Sequence, residues 1–263
     1  MLNENTTNIS LINLPELPDS VDNALQNLTD APSKNAGQTF GDLWFLVFGG
    51  ITQAANKKRL KYARDLEVYN QELTSAIEQI PADNKIEPSI QTTAQALENS
   101  KYCISEPELR KMFVNLISNS MDGRVSDAVH PSFPEIIKQM SPVDAKIIST
   151  FKQKSNQPIV NYNLSTLSTT RPLEKYIFFD TNGTHSYLYA TSISSLERLG
   201  LLSVDFMNKL TDSSSYNVFS KWAYYEHLKK QFENDNSDDY IEIEQGVCSL
   251  TPLGQIFVSV CVS

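Results

Sequence analysis

From Tyr62 to Ile80 an apolar side chain recurs every three or four residues: Tyr62, Leu66, Tyr69, Leu73, Ile77 and Ile80. Such steps place all six on one stripe of an α-helix, so the segment is predicted as one long helix with a single apolar face. The opposite face carries Lys57, Lys58, Arg59, Lys61, Arg64, Glu67 and Glu72, and Pro81 ends the helix by removing a backbone donor. A stripe of this length cannot be buried by its own helix. It needs other helices alongside, so a bundle is the expected frame of the region. The basic run at 57–64 could in principle meet nucleic acid or lipid headgroups; beside an acidic remainder, a solvated helix face is expected.

The partners of that helix announce themselves by start signals. Pro88 precedes a segment running through Ile90, Ala94 and Leu97. Ser105-Glu-Pro-Glu108 precedes Leu109, Met112, Phe113, Leu116, Ile117 and Met121, with Gly123 as the stop. Ser132-Phe-Pro-Glu135 precedes Ile136, Ile137 and Met140, and Ser141-Pro-Val-Asp144 precedes Ile147, Ile148 and Phe151. In each, the serine oxygen is expected to accept from a free backbone N–H, while the acidic residue three positions on favours the positive helix end. Residues 39–154 are therefore expected to form a helical bundle. Residues 1–38, rich in Asn, Thr, Ser and Asp with Pro15, Pro18 and Pro32, are expected to be a flexible N-terminal arm.

The pattern changes after Phe151. Ile159-Val-Asn-Tyr-Asn-Leu164 alternates as a strand, and the aromatic runs Tyr176–Phe179 and Tyr187–Tyr189 flank Thr181-Asn-Gly183, which suggests a hairpin. A short helix through Leu196 and Leu199 should end at Gly200 in a left-handed cap. One helix is expected through Phe219, Trp222, Ala223 and Phe232, then a strand at Tyr240–Glu244, then a helix opening at Thr251-Pro252. Leu196-Glu-Arg-Leu-Gly-Leu-Leu202, a later strand and Leu250-Thr-Pro-Leu-Gly254 together resemble a winged-helix module. The expected fold class is thus mainly α, with a smaller α+β winged-helix-like domain over 155–263.

Charge restricts the partners of such a module. The chain carries a net charge of −9. From residue 190 onward there are only Arg198, Lys209, Lys221, Lys229 and Lys230 against ten carboxylates. A module that grips duplex DNA needs cations at the phosphates, so no nucleic-acid partner is expected. The apolar run Leu43–Ile51 spans roughly 14 Å as a helix, about half a hydrocarbon core, so no transmembrane segment is expected and membrane-surface contact is the lesser alternative to a core helix. Met1–Ser33 has neither a basic n-region nor an apolar h-region, so a cytoplasmic location is expected.

Chemistry-bearing residues are sparse. Cys103, Cys248 and Cys261 are far apart in apolar surroundings, as buried free thiols would be. His130, His185 and His227 form no metal-ligand spacing, and His130 before Pro131 suits a hydrogen-bonded helix start. Neither a nucleophile elbow nor a phosphate-binding glycine loop occurs. Asp122, Arg124 and Asp127 are expected to be a salt-bridge network at a helix terminus. No catalytic, metal or cofactor residues are expected, and no cofactor.

Glu106-Pro-Glu-Leu-Arg-Lys-Met-Phe-Val-Asn-Leu-Ile-Ser-Asn-Ser-Met-Asp122 and His130-Pro-Ser-Phe-Pro-Glu-Ile-Ile-Lys-Gln-Met-Ser-Pro-Val-Asp-Ala-Lys-Ile-Ile148 resemble the abortive infection alpha family, as do the Leu-Gly-Leu and Leu-Thr-Pro-Leu-Gly segments of the tail. The resemblance implies a bacterial or prophage protein linked to phage defence, in which an infected cell halts before phage matures. It carries over no catalytic residues. A non-catalytic interaction protein, working through self-association or a protein partner, is the expected function. The alternatives are a winged-helix regulator and a membrane-perturbing effector using the 43–51 helix.

Overall fold

The computed structural model describes residues 38–48, 57–233 and 239–262. The expected N-terminal arm, apart from Gln38, and the 49–51 end of the apolar run lie outside them. Six helices come first: α1 (Gln38–Phe48), α2 (Lys57–Glu78), α3 (Ile90–Ser100), α4 (Pro107–Ser120), α5 (Phe133–Gln139) and α6 (Pro142–Thr150). Helix α4 lies at the centre, packed against α2, α3, α5 and α6. The predicted stripe of α2 is buried at Leu66, Tyr69, Leu73, Ile77 and Ile80. Burying each such side chain contributes roughly 1.5–3 kcal/mol, so this stripe outweighs the weak helix pairing on its polar face. Glu72, expected on that polar face, reaches Arg110 of α4 through two hydrogen bonds of 2.9 and 3.0 Å, while Arg110 Nη1 donates to Ile104 O at 2.8 Å.

Only one of the three expected capping signatures forms. Ser141 Oγ accepts from Asp144 N at 3.1 Å, and Asp144 Oδ2 accepts from Ser141 N at 2.8 Å, a complete capping box with Pro142 at the first helical position. At α4 the cap position is Glu106 and makes no side-chain cap bond, because Ser105 Oγ donates instead to Asp65 Oδ2 at 2.6 Å. At α5 Ser132 makes no cap bond either. Its Oγ lies 2.7 Å from His130 Nδ1, and Glu135 crosses to α3, accepting from Asn99 Nδ2 at 2.9 Å. A tertiary partner takes the Ser105 hydroxyl, and a neighbour two residues back takes that of Ser132.

Four antiparallel strands follow, β1 (Asn156–Ser165), β2 (Thr170–Ile177), β3 (Leu202–Asp205) and β4 (Tyr240–Leu250), in the order β2-β1-β4-β3. Strand alternation gives β1 two unlike faces. Val160, Tyr162 and Leu164 join a second core with Ile177, Tyr216, Phe219, Leu228 and Ile241. On the other face Ile159 belongs to the main core, but Asn161, Asn163 and Ser165 beyond it are polar and buried. The chain between β3 and β4 supplies the cover of the apolar face. It holds α8 (Asn217–Ser220) and α9 (Ala223–Phe232). The single helix expected here is divided at Trp222, whose backbone is extended (φ −72°, ψ 131°).

The expected hairpin at Thr181–Gly183 is also corrected. The turn exists, with Gly183 at φ +70°, but it joins β2 to α7 (Leu188–Arg198), so Tyr187–Tyr189 opens a helix instead of a strand. Asp180 explains this: its Oδ1 accepts from Asn182 N and Thr184 N at 3.0 and 2.9 Å and turns the chain before a second strand can start.

Helix α7 ends as predicted. Gly200 has φ +75°, with Leu201 N donating to Leu196 O and Gly200 N to Glu197 O, both at 2.9 Å. The tail then locks onto this end. Thr251 N donates to Leu201 O at 3.0 Å, Thr251 Oγ1 donates to Gly200 O, and Gly254 N donates to Thr251 Oγ1 at 3.0 Å. These bonds start α10 (Pro252–Phe257), which passes into a π-turn at Val258–Val262. Two asparagines one turn apart on α4 hold that turn: Asn119 Nδ2 donates to Val260 O at 2.7 Å and Asn115 Nδ2 to Cys261 O at 3.0 Å. One core accordingly runs from Phe40 to Cys261. No helix among the described residues is long and apolar enough to cross a membrane.

Candidate functional site

An ion pair joins the bundle to the C-terminal half at the buried carboxylate of Asp180. Burial raises the cost of its charge, but Lys146 Nζ at 2.7 Å, the Thr184 and Asn182 N–H groups and the Tyr189 hydroxyl at 3.0 Å outweigh that and hold the carboxyl down at about 2. Hydrogen bonds to Asp180 and Tyr189 in turn push the Lys146 ammonium well above its usual range. A lysine so held is charged and has no lone pair to offer as base or nucleophile. The cluster pins α6 to the β2–α7 turn. Its geometry is that of a clamp.

Beside it lies a recess of about 380 Å³ whose lining includes Glu174, Lys175, His185, Tyr187, Trp222 and Tyr224. Three elements build it: β2, the turn into α7, and the extended residue before α9. His185 is fixed by Phe178 O, 2.8 Å from its Nδ1, and its ring centroid is 4.7 Å from that of Trp222. Trp222 continues to Tyr224 at 5.0 Å and is backed by Phe179 at 5.5 Å. Tyr224 donates its hydroxyl proton to Glu174 Oε1 at 2.7 Å, and that bond, followed by burial, pushes the phenol up to about 12. Tyr187 is 84% exposed at the rim. The recess is open to solvent, with aromatic rings from Tyr187, Trp222 and Tyr224 on its lining.

On the other face of the sheet a polar groove of about 240 Å³ runs over Asn161, Asn163 and Glu244. Both asparagine amides donate to Glu244 Oε2, at 2.8 and 3.1 Å. Asn161 Oδ1 accepts from Tyr176 N at 3.0 Å, and Tyr176 is the one non-glycine residue among those described with positive φ, at +57°. This is an irregularity in the β1–β2 pairing, where the register shifts between Val160 and Asn163.

The residues singled out from sequence fall as follows. Cys103, Cys248 and Cys261 are free and buried, and burial pushes each thiol up, the reverse of what a nucleophilic thiol needs. Asp122 and Arg124 pair as expected, Arg124 Nε lying 2.9 Å from Asp122 Oδ1; Asp127 is exposed and pairs with neither of them. His130 serves its helix start. His185 and His227 both flank the Trp222–Tyr224 pair, His227 with its centroid 6.4 Å from Tyr224. Among the described residues no three His, Cys, Asp or Glu side chains gather as a metal site. The sequence pattern does not show the aromatic recess, because it places Tyr187 in a strand and Trp222 inside a continuous helix, where the structure has a turn into a helix and an extended residue.

No curated protein and no solved structure matches the chain. The profile of the family described as "Abortive infection alpha" matches residues 61–261, from the second turn of α2 to the π-turn that closes the core. With more than half of its length matched, the chain belongs to the abortive infection alpha family.

Proposed function

We propose that this protein acts in abortive infection as a non-catalytic interaction protein, through association with a protein partner. The observation that carries the reading is the recess at Trp222 and Tyr224. Its walls include the aromatic side chains of Tyr187, Trp222 and Tyr224, which suit stacking and burial, and its carboxylate Glu174 accepts a hydrogen bond from Tyr224. A cell that halts on infection needs only a protein whose association changes when phage arrives. The test is co-purification before and after infection, paired with light scattering of the purified chain. A partner that joins only on infection supports the reading, and a monomer with an unchanged set of partners through infection contradicts it.

One observation favours a second reading. Strand β3 pairs with β4, and Thr251 then caps α10, the order of elements in a winged-helix regulator. The carboxylate excess after residue 190 opposes it. A gel shift at low salt separates the two: retarded duplex with a steep salt dependence favours the regulator.

A further inference from the structure

We propose that α1 and the start of α2 form a docking surface for an anionic lipid membrane. This goes beyond association with a protein partner and does not depend on it. Two observations meet here. Helix α1 is apolar on both sides: Phe40, Trp44, Val47 and Phe48 are buried in the core, yet Phe45 and Leu46 are 60% and 79% exposed. A helix that serves only the core keeps polar residues on its outer side. The second observation is charge. Lys57, Lys58, Arg59, Lys61 and Arg64 fall within the first eight residues of α2, whose first turn holds no carboxylate. The positive end of a helix dipole favours carboxylates, so five cations there oppose the local electrostatics of the helix, on a chain of net charge −9. An external anion relieves that cost. Lys61 and Arg64 are exposed, and carboxylates begin only beyond them, at Asp65, which accepts from Ser105 Oγ, and at Glu67. The two features are neighbours. Trp44 and Phe48 pack their rings 5.8 and 6.3 Å from that of Tyr69 on α2, and Arg64 and Lys61 precede Tyr69 by roughly 8 and 12 Å of helix. Apolar side chains beside cations match lipid, whose phosphates lie next to acyl chains. Leu46 has no ring to stack on bases. It projects from a helix surface, which a fluid lipid layer takes in without a complementary groove.

The experiment is co-sedimentation of the full chain with vesicles of phosphatidylcholine containing about one-third phosphatidylglycerol, against vesicles of phosphatidylcholine alone. Partition into the anionic vesicles should be at least about tenfold stronger at low salt and fall as salt is added. Phe45→Ser/Leu46→Ser and Lys61→Glu/Arg64→Glu, both pairs at exposed positions, should each weaken it about tenfold with circular dichroism unchanged. If one pair disturbs the fold, the other decides. No binding, equal binding of phosphatidylcholine alone, or partition unchanged in a folded variant of either pair would overturn the assignment. Tighter binding of duplex DNA or of a polyglutamate peptide, or full displacement from vesicles by inorganic phosphate at matched ionic strength, would give the cations another anion and overturn it too. A dimer that Phe45→Ser/Leu46→Ser dissolves in light scattering, with no vesicle bound, would assign the apolar pair to a second copy instead.

Discussion

Replacing Gly254 by alanine tests how the tail is held to the rest of the molecule, and two effects of opposite sign compete there. Gly254 lies in α10, where alanine is favoured over glycine by up to about 1 kcal/mol. A Cβ at Gly254 would sit 2.0 Å from Leu201 O and 2.9 Å from Leu201 C, both backbone atoms that cannot rotate away. Relieving the contact means moving α10 off the end of α7 by about 1 Å, since carbon and oxygen rarely approach closer than about 3 Å. That shift would stretch the 3.0 Å bond from Thr251 N to Leu201 O and disturb the Thr251 cap. Overpacking of this kind costs about 1–3 kcal/mol, a lost hydrogen bond adds about 1 kcal/mol and helix propensity offsets up to about 1 kcal/mol, so a net loss of about 1–3 kcal/mol is expected. Gly200→Ala is the control. Its Cβ would meet Leu253 Cδ2 at an ordinary 3.7 Å, leaving only the left-handed backbone penalty of about 1–2 kcal/mol. Urea denaturation followed by circular dichroism should rank the stabilities wild type, Gly200→Ala, Gly254→Ala. A Gly254→Ala chain as stable as wild type would refute the reasoning, because helix propensity would then have outweighed the contact.

Other outcomes follow from the same structure. Asp180 titrates at about 2 in the fold against an ordinary value of 3.8, so its stabilisation is complete above pH 4 and is lost as pH falls toward 2. With Lys146 half-exposed, that amounts to about 1–2 kcal/mol, and the stability gap between wild type and Asp180→Asn, measured by urea midpoints, should shrink across that window. Ser141→Ala removes a formed capping box and should cost about 1 kcal/mol, whereas Ser132→Ala, with no cap bond to lose, should cost less than half as much in the same assay. The buried thiols of Cys103, Cys248 and Cys261 should resist a thiol-reactive dye at pH 8 in the native chain and react fully in urea; rapid native labelling would contradict their burial.

The helical half was legible in sequence because period and punctuation agree: the stripe of α2 ends where Pro81 ends it, and Ser141-Pro-Val-Asp144 forms the box its spacing implies. Ser105 and Ser132 carry the same local signature without forming it. Whether a serine caps its own helix depends on what competes for its hydroxyl: at Ser105 that is Asp65, distant in the chain, and at Ser132 it is His130, two residues back. Gly200 and Thr251 could be placed at their helix ends separately, but nothing local says that each exists to meet the other. The recess was hidden for a related reason. Glu174, His185 and Trp222 come from three segments that sequence reading assigned to a strand, a hairpin and one helix. Their convergence needs the Asp180 turn and the break at Trp222, each set by a residue whose side chain could as well have been in a core.

The most direct test of a function by association, without chemistry, is phage plating efficiency on cells carrying the gene and its variants, with folded protein levels matched. Protection should survive Cys103→Ser, His130→Ala and Asp122→Asn and be reduced by Tyr187→Ala and Trp222→Phe. Protection abolished by one of the first three and untouched by both recess changes would contradict the account.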